Sequence, residues 1–292
     1  NLCGWTPKTH ATGTMKQQVQ IELAHAFRRM HDRKRVLLLA NCWDAGSARL
    51  FVRRGFAAIA TTSAGVAWSL GYADGEQAPL AEVLAAIARI TRVVEVPVTA
   101  DIETGYGEAP ADVASTVQRV IAAGAVGINI EDGRPGHGPL RDAADASARV
   151  RAARAAADAS GVPIVINARV DHWMHPAADP AARLADAIDR AKGYLAAGAD
   201  CIYPIGLGDP TTLRALVAAI NAPVNVAAGP GMPDLHELAA IGVARVSTAT
   251  RLATVAFGAV DHALAGMRAS GGFAALASDF SYADAQQLFA PR

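Results

Sequence analysis

Two carboxylates stand two positions apart in the segment TADIETGYGEAP, which covers residues 99–110. Asp101 and Glu103 follow an apolar run, and the period of two along a strand places both side chains on one face. Like charges on one face repel each other unless a cation lies between them. Glu131 ends the next predicted strand, and the three acids therefore predict a site for Mg2+, which proteins hold through a few carboxylates and waters. The alternative interpretation is ion pairing with Arg169 and with surface basic residues.

Groups that can bind an anion occur at the ends of other predicted strands. Arg169 follows Asn167 by two positions, and a guanidinium binds a carboxylate or a phosphonate in a fork geometry. We predict that both residues bind substrate, with a structural salt bridge from Arg169 to Glu131 as the alternative. The segment TTSAG at residues 61–65 offers hydroxyls and closely spaced N–H groups, which can hold a carboxylate or phosphoryl group. The same letters also fit an ordinary Ser-Gly turn.

Two glycine-containing loops carry further titratable residues. Asp74 lies in GYADGEQ, which has the composition of a mobile loop beside the site or of a solvated turn. His137 lies in GRPGHGPL, either as a loop residue that reaches the site or as a solvent-exposed histidine. Arginine keeps its proton at neutral pH, so His137 is the best candidate for an acid on its loop.

The elements that must position these residues alternate regularly along the chain. Short β-branched runs occur at 35–44, 56–65, 97–103, 126–132, 163–171, 201–206, 223–229 and 243–250. Ala-rich helical stretches occur near 46–54, 79–94, 110–123, 141–159, 179–196, 210–220, 233–240 and 250–268. Eight such units at this length predict an α/β fold, a closed (β/α)8 TIM-type barrel with its site at the carboxyl ends of the strands. An open doubly wound sheet is the alternative, but no GxGxxG turn follows the first predicted strand.

We expect one barrel domain over residues 15–292, preceded by a flexible extension over residues 1–14. Residues 15–32 read as a leading helix. Residues 271–292 form a helical tail after a Gly-Gly pair, and this tail exceeds what a barrel requires. The apolar side chains of the tail need a surface to cover, and we expect that surface to belong to another subunit; they are Phe273, Leu276, Phe280 and Leu288.

The bulk composition excludes several classes of protein. The 292 residues are 52% hydrophobic and 18% charged with zero formal net charge, and no basic block appears, which argues against nucleic acid as a partner. The sequence contains no run of 18 apolar residues, so it predicts no membrane span. Three cysteines without metal-site spacing indicate a reducing compartment, so we expect a cytoplasmic protein.

Taken together, the motifs identify a resemblance. They are WDAGSARL, TTSAGVAWSLGYADGE, VPVTADIETGYGE, GAVGINIEDG, INARVD and YLAAGADCIYP, which occur in this order within roughly residues 35–255. The chain resembles the isocitrate lyase / phosphoenolpyruvate mutase superfamily, in particular members of the 2-methylisocitrate lyase and phosphonomutase types. The resemblance implies a (β/α)8 barrel that binds Mg2+ and a small 2-oxo or 2-hydroxy acid. It also implies that a C–C or P–C bond next to a pyruvate-like unit is made or broken through an enolate.

The resemblance also implies roles for individual residues. The metal, Mg2+ or Mn2+, would be held largely through waters by Asp101, Glu103 and Glu131. The substrate's carboxylate or oxo group would contact Thr62, Ser63 and Ala64. Asp74 would lie on a loop over the site and Arg169 would bind the substrate. The C-terminal helix is typically swapped between subunits of a homotetramer in this superfamily.

One segment departs from the superfamily pattern. Isocitrate and methylisocitrate lyases carry a Lys-Lys/Arg-Cys-Gly-His motif soon after the Glu-Asp pair, and mutases carry a Lys-Asn loop. Here the region reads EDGRPGHGPLRD, without cysteine or lysine. An ordinary isocitrate lyase is therefore disfavoured, and His137 is the candidate to replace the cysteine as proton donor. We expect a lyase or mutase for a small dicarboxylate or phosphonate; the alternative is a non-catalytic relative that binds such an acid.

Overall fold

Eight parallel strands form the barrel that the sequence predicts. A computed structural model describes residues 13–176 and 179–290. The strands are β1 (Leu37–Cys42), β2 (Ile59–Thr61), β3 (Val98–Asp101), β4 (Gly127–Glu131), β5 (Val165–Val170), β6 (Cys201–Pro204), β7 (Asn225–Ala227) and β8 (Arg245–Ser247). They are hydrogen-bonded in the order β6-β5-β4-β3-β2-β1-β8-β7. A parallel bridge between Ile202 and Val224 joins β6 to β7, so the sheet is nearly closed into a barrel.

Helices follow the strands around the outside of this barrel. They are α1 (Gly13–Arg29), α2 (Ala45–Arg53), α3 (Ser63–Leu70), α4 (Leu80–Arg92), α5 (Pro110–Ala122), α6 (Ala143–Ser160), α7 (Pro180–Ala196), α8 (Pro210–Ile220), α9 (Leu235–Ile241), α10 (Arg251–Ser270) and α11 (Tyr282–Phe289). Within the described residues, every helix is too short or too polar to cross a membrane. Residues 1–12 of the predicted extension lie outside the described residues, and its last two positions already belong to α1.

The predicted boundaries require one correction near β2. The sequence pattern predicts a strand over residues 56–65, but β2 ends at Thr61 and α3 begins at Ser63. Thr62 is the N-cap between them, and its Oγ1 accepts a hydrogen bond from Gly65 N at 3.4 Å. A hydroxyl at this position satisfies one of the free N–H groups of the first helical turn. The change of direction therefore comes from the cap, which places the start of α3 at the mouth of the barrel.

Helix α1 closes the amino end of the barrel. Phe27 is fully buried, and a Cβ added to Gly127 at the start of β4 would lie only 2.8 Å from its ring, so glycine makes room for the phenyl group. Above that ring lies Arg245, whose guanidinium carbon is 5.9 Å from the ring centre. Arg245 Nη2 donates to Asn129 Oδ1 at 3.2 Å. Phe27 and Arg245 therefore fill the barrel from its amino end.

The C-terminal tail is helical only in part. Gly271, with φ of +68°, ends α10, and the tail then has one 3-10 turn at Ala274–Leu276 before α11. Helix α11 packs on α2 of the same chain, where Leu288 is buried and the Arg49 guanidinium lies 5.9 Å from the Phe289 ring centre. Other apolar side chains of α10 and the tail remain exposed: Val255, Phe257, Val260, Leu264, Phe273, Leu276 and Phe280.

Candidate active site

A cavity of about 550 Å3 opens at the carboxyl end of the barrel. Its wall contains most of the residues that the sequence singled out for chemistry, which are Thr62, Ser63, Ala64, Asp74, Asp101, His137 and Arg169. These residues come from positions up to 107 apart in the chain, and the parallel strands bring them together because all strand carboxyl ends meet at one face. A cavity at this end of the barrel is therefore the candidate active site.

The start of α3 forms one side of the cavity. Ser63 and Ala64 line it with the first turn of the helix, whose N–H groups and dipole favour an anion. A Cβ on Gly65 would lie 2.6 Å from Thr62 Cγ2 and 2.9 Å from Trp43 Cβ, so only glycine fits here. The segment TTSAG is therefore shaped by packing as well as by the cap, and it presents its backbone donors to the cavity.

Asp101 lies at the carboxyl end of β3, beside this helix. Its Oδ2 accepts a long hydrogen bond of 3.5 Å from Ser63 N, and its own N–H donates to Thr61 Oγ1 at 2.9 Å. Burial raises the pKa of Asp101; Arg169 opposes the shift and the carboxylate of Asp74 adds to it. Two carboxylates thus lie close together in a partly dehydrated place.

Glu103 does not share the cavity face with Asp101, contrary to the sequence expectation. The strand ends at Asp101, and Glu103 has φ of +52°, so the alternation of a strand no longer applies to it. Its Oε2 accepts from Glu76 N at 2.6 Å, and its Oε1 accepts from Tyr106 OH at 3.1 Å. Burial and then the charge of Asp101 raise the pKa of Glu103 to about 8.

Glu76 completes this arrangement from the opposite loop, and no motif or spacing in the sequence marks it as a site residue. Its Oε1 accepts hydrogen bonds from Thr104 N at 3.0 Å, from Thr104 Oγ1 at 2.6 Å and from Tyr106 N at 3.0 Å. Each glutamate is thus held by the other's loop. The result is a firm connection between the loop that carries Asp74 and the loop after β3.

Arg169 forms the ion pair that the sequence left as an alternative. Its Nη1 contacts Glu131, its Nε donates to Asp171 Oδ1 at 2.6 Å and its Nη2 donates to Asp171 Oδ2 at 2.8 Å. All three nitrogens are therefore engaged by carboxylates, although the guanidinium still borders the cavity. Burial lowers the pKa of Arg169, but these two carboxylates more than offset it, so the pKa is raised and the guanidinium stays charged.

Asn167 lies one layer deeper than predicted. It is fully buried, and its Nδ2 donates to Asn129 Oδ1 at 2.8 Å. Asn129 lines the cavity, so Asn167 supports the floor of the site from below. Asn167 could therefore influence a bound substrate only indirectly, by holding Asn129 in place.

The acidic side of the cavity fits a divalent cation. Asp74 Oδ1 is buried without a hydrogen-bond partner, and Asp101 beside it has its pKa raised by burial and by Asp74. Among the residues the structure describes, no three His, Cys, Asp or Glu side chains converge as direct ligands of one ion. A hard cation that keeps several waters and takes one or two carboxylates is the kind that suits such a donor set, and Mg2+ behaves in this way.

Two loops meet over the cavity mouth. Asp74 Oδ2 lies 3.4 Å from His137 Nε2. At the same point Gly75 packs against Gly136, since a Cβ on Gly75 would lie 2.7 Å from Gly136 Cα. His137 has φ of +57° and its side chain is half exposed. The contact brings the two predicted loop residues together at the rim of the site.

The far side of the cavity holds a residue that the sequence reasoning missed. Arg251 is the first residue of α10 and lines the cavity. A Cβ on Gly229 would lie 3.2 Å from its Nε and Nη2, so the guanidinium rests over the loop after β7. The signal was available, because Arg251 directly follows the eighth predicted strand and barrel sites use such positions.

The fold and the position of the cavity define a class, the (β/α)8-barrel enzymes that act at the carboxyl ends of their strands. Comparison with known proteins gives the family. The phosphoenolpyruvate phosphomutase family model matches residues 27–268. The chain belongs to this family, and it is therefore an enzyme of the isocitrate lyase / phosphoenolpyruvate mutase superfamily, as the motifs predict.

Three relatives illustrate the relationship. The 2-methylisocitrate lyase of Escherichia coli K12 is 35% identical over 205 residues, which are 68% of this chain and 67% of the relative. A Burkholderia cenocepacia J2315 protein provisionally assigned as a phosphonomutase has a solved structure with 42% identity and a TM-score of 0.80, covering 87% of this chain and 100% of that one. A phosphonopyruvate hydrolase in complex with oxalate and Mg2+ is 25% identical with a TM-score of 0.78, covering 91% of this chain and 94% of that one.

Proposed function

We propose that the protein is a Mg2+-dependent lyase or mutase that breaks or makes a C–C or P–C bond beside a pyruvate-like unit of a small 2-oxo or 2-hydroxy acid. The observation that carries the proposal is the pair of carboxylates, Asp74 and Asp101, that lines the cavity next to the N-terminus of α3. Oxalate and Mg2+ in the related phosphonopyruvate hydrolase support the same combination of anion and cation.

The acidic side of the cavity would hold the cation. Asp101 would be the principal ligand, with Asp74 opposite it and with Glu103 and Glu131 acting through waters. Mn2+ would be an acceptable substitute, because it also prefers oxygen ligands. When bound, the ion would supply a Lewis acid that stabilises negative charge on substrate oxygens.

The residues of the chain would orient the substrate and stabilise its charge. The first N–H groups of α3, at Ser63 and Ala64, and the Thr62 hydroxyl are donors for the substrate's carboxylate or oxo group. They are fixed before the reaction, so they can stabilise an oxygen that becomes more negative as the bond breaks. Arg169 would add positive charge from the β5 side, with its orientation set by Asp171.

Two protons must move in a C–C cleavage of a 2-hydroxy acid. The hydroxyl loses one as it becomes an oxo group, and the bonding electron pair passes to the departing carbon as an enolate, which then takes up the other. Asp74 has an unpartnered buried oxygen to accept the first proton, and His137 can deliver the second. Their contact at 3.4 Å allows the proton to pass back between them, which restores both groups after a turnover.

One observation favours a second candidate, a non-catalytic relative that binds a small dicarboxylate or oxo-acid. The loop EDGRPGHGPLRD lacks the cysteine and the lysines that lyases and mutases carry. The two candidates differ in turnover. Pyruvate-like product released from a panel of 2-hydroxy and 2-oxo acids with Mg2+, and abolished by EDTA, would support the enzyme; tight binding without product in every case would support the alternative.

We also propose a homo-oligomer, a tetramer in which the C-terminal tail packs on a neighbouring subunit. The support is the exposed apolar face of α10, where the exposed fractions of Phe257, Val260 and Leu264 are 55%, 58% and 52%. Contiguous apolar surface of this kind marks protein–protein contacts in soluble proteins. A second copy of the chain offers the same surface and can cover it symmetrically.

A further inference from the structure

A second cavity, of about 500 Å3, lies at the amino end of the barrel. Leu37 at the start of β1 lines this amino-end cavity, whereas Asn41 near the end of the same strand lines the candidate active site. Among the described residues, the two cavities share no lining side chain, so they are separate. The amino-end cavity has the volume of a small-molecule site. Its wall holds one acid and three arginines, which are Asp32, Arg29, Arg35 and Arg54.

The three arginines of this wall differ from their neighbours in the chain. Arg28 at the end of α1 forms an ion pair with Asp200, and Arg53 at the end of α2 lies 3.5 Å from Asp284. The residue that follows each of these arginines lines the amino-end cavity. Within residues 13–176 and 179–290, the side chains of the three wall arginines make no hydrogen bond or ion pair. The wall therefore has an excess of positive charge that an anionic ligand can neutralise.

The end of α2 holds one side of the amino-end cavity in a fixed conformation. Gly55 has φ of +86°, its N–H donates to Val52 O at 3.0 Å, and Phe56 N donates to Phe51 O at 3.3 Å. These two hydrogen bonds form a Schellman motif, which commonly ends a helix and is accompanied by an apolar contact. Here the contact joins the rings of Phe51 and Phe56, whose centres are 6.2 Å apart. Arg54 and Phe56 therefore line the cavity from a well-ordered backbone, which lowers the entropy cost of binding a ligand.

The rest of the wall is apolar. It consists of Met30, Val36, Leu37, Leu38, Gly55, Phe56 and Ala57. Phe56 and Met30 are only half-buried, so they offer apolar surface that a ligand can cover. Guanidinium groups bind phosphate through paired hydrogen bonds and also stack on aromatic faces. Arginines beside an apolar wall therefore suit a ligand that combines phosphate groups with a flat apolar body.

We propose that the amino-end cavity binds an organic phosphate with an aromatic body, the chemistry of a nucleoside diphosphate. The phosphate groups would contact the three arginines, and the aromatic body would cover Phe56 and Met30. This site is additional to the function proposed for the carboxyl end of the barrel and does not depend on it.

The test separates the two parts of such a ligand. Adenosine diphosphate carries both parts, adenosine lacks the charges, and pyrophosphate lacks the aromatic body. Their dissociation constants for the full chain are measured by calorimetry in EDTA, because chelation prevents the diphosphate from binding through a metal ion at the carboxyl end. The wild type should bind adenosine diphosphate at least roughly tenfold more tightly than either fragment, because only the whole ligand uses the arginines and the apolar wall together.

Variants of the wall assign the binding to this cavity. Arg35→Gln and Arg54→Gln should each weaken the binding of adenosine diphosphate roughly three- to tenfold, the size of one ion pair that is partly open to solvent. Ala57→Glu adds a negative charge at an exposed position of the wall and should abolish it. The matched controls are Arg89→Gln and Ala88→Glu, at exposed positions of α4 outside the cavity, and both should bind like the wild type. Unchanged thermal midpoints show that the variants are folded.

Three outcomes overturn the proposal. The first is a wild type that gives no saturable heat with adenosine diphosphate at millimolar concentration. The second is wild-type affinity in Arg35→Gln, Arg54→Gln and Ala57→Glu, which would place the ligand elsewhere. The third is pyrophosphate that binds as tightly as adenosine diphosphate, which would leave a simple anion site without a role for the apolar wall. Failure of the function proposed for the carboxyl end has a separate signature, the absence of Mg2+-dependent oxalate binding.

Discussion

Glu76 and Glu103 hold each other's loops in place. Glu103 Oε2 accepts a hydrogen bond from Glu76 N at 2.6 Å, while Glu76 Oε1 accepts from the N–H groups of Thr104 and Tyr106, both at 3.0 Å. The loop with Glu76 also carries Asp74, and the loop with Glu103 follows Asp101. This exchange therefore fixes the distance between the two carboxylates that line the cavity.

Weakening this exchange should impair the site more than the fold. Glu76→Gln removes the charge that holds Thr104 and Tyr106, a loss of about 1.5–3 kcal/mol in the free energy that keeps the loop closed. We expect turnover to fall roughly tenfold or more, because Asp74 is no longer held over the cavity. Steady-state kinetics and thermal unfolding check this, with exposed Glu22→Gln on α1 as control. Wild-type turnover in Glu76→Gln would show that the loop needs no such anchor.

Asp101 is expected to be required for metal binding and unfavourable for stability in the metal-free protein. Burial raises its pKa, which means that the ionised side chain is less stable in the folded protein than in water. Asp101→Asn and Asp101→Ala should abolish Mg2+ binding in calorimetry, and Asp101→Asn should raise the thermal midpoint of the metal-free protein. Asp158→Asn, an exposed residue of α6, is the matched control. Unchanged Mg2+ affinity in the Asp101 variants would contradict the metal assignment.

The contact between Asp74 and His137 predicts separate effects on turnover and on binding. Removal of a positioned general acid or base typically lowers a rate by about 10²–10⁴-fold. Asp74→Ala and His137→Ala should both lose turnover to this extent, and His137→Ala should keep Mg2+-dependent oxalate binding. His236→Ala, an exposed histidine of α9, controls for the substitution itself. Full activity in His137→Ala would leave Tyr106 or water as the proton donor.

His31 should contribute a loss of stability as the pH drops below neutrality. This buried residue pairs its Nδ1 with Phe27 O at 2.9 Å, and burial, followed by the charge of Arg245, lowers its pKa from 6.5 to about 4. Between these values the unfolded chain binds a proton that the folded chain does not. Because of His31, the free energy of unfolding should be at its full value above about pH 6.5 and should fall by up to roughly 3 kcal/mol as the pH drops towards 4.

Denaturant unfolding at several pH values measures this loss. His31→Gln should flatten the dependence between pH 6.5 and 4, while His25→Gln, an exposed residue of the same helix, should leave it unchanged. Equal slopes in the wild type and in His31→Gln would assign the acid sensitivity to other groups.

The C-terminal tail should determine the oligomeric state. A chain truncated after Ser270 loses Leu288, which is buried against α2, and Phe273, which is exposed in the single chain. We expect light scattering to show a smaller assembly than for the full chain. Val260→Glu on the exposed face of α10 should also give a smaller assembly. Thr254 is not suitable for this test, because it lines the cavity and a charge there could alter the active site. A soluble truncated chain of unchanged mass would count against the proposed assembly.

The sequence by itself determined the barrel and most of the site's location. Alternating β-branched and amphipathic segments are local patterns, so each of the eight units can be recognised from neighbouring residues alone. The number of units then predicts the barrel. The carboxylate of Asp101 at the end of β3 can be recognised in the same way, because its position relative to the strand end is set within a few residues. The family motifs can also be recognised from the sequence alone, since they are runs of neighbouring residues.

The tertiary structure decided the partners of the charged side chains. Glu103 turns to Glu76 because the strand ends at Asp101 and φ is positive two residues later. Arg169 is neutralised by Glu131 only because β4 and β5 pair in register at these two positions. Arg251 reaches the cavity because β8 lies between β1 and β7. Such contacts depend on strand pairing and on backbone angles at the ends of strands, and hydrophobic periodicity carries no information about either.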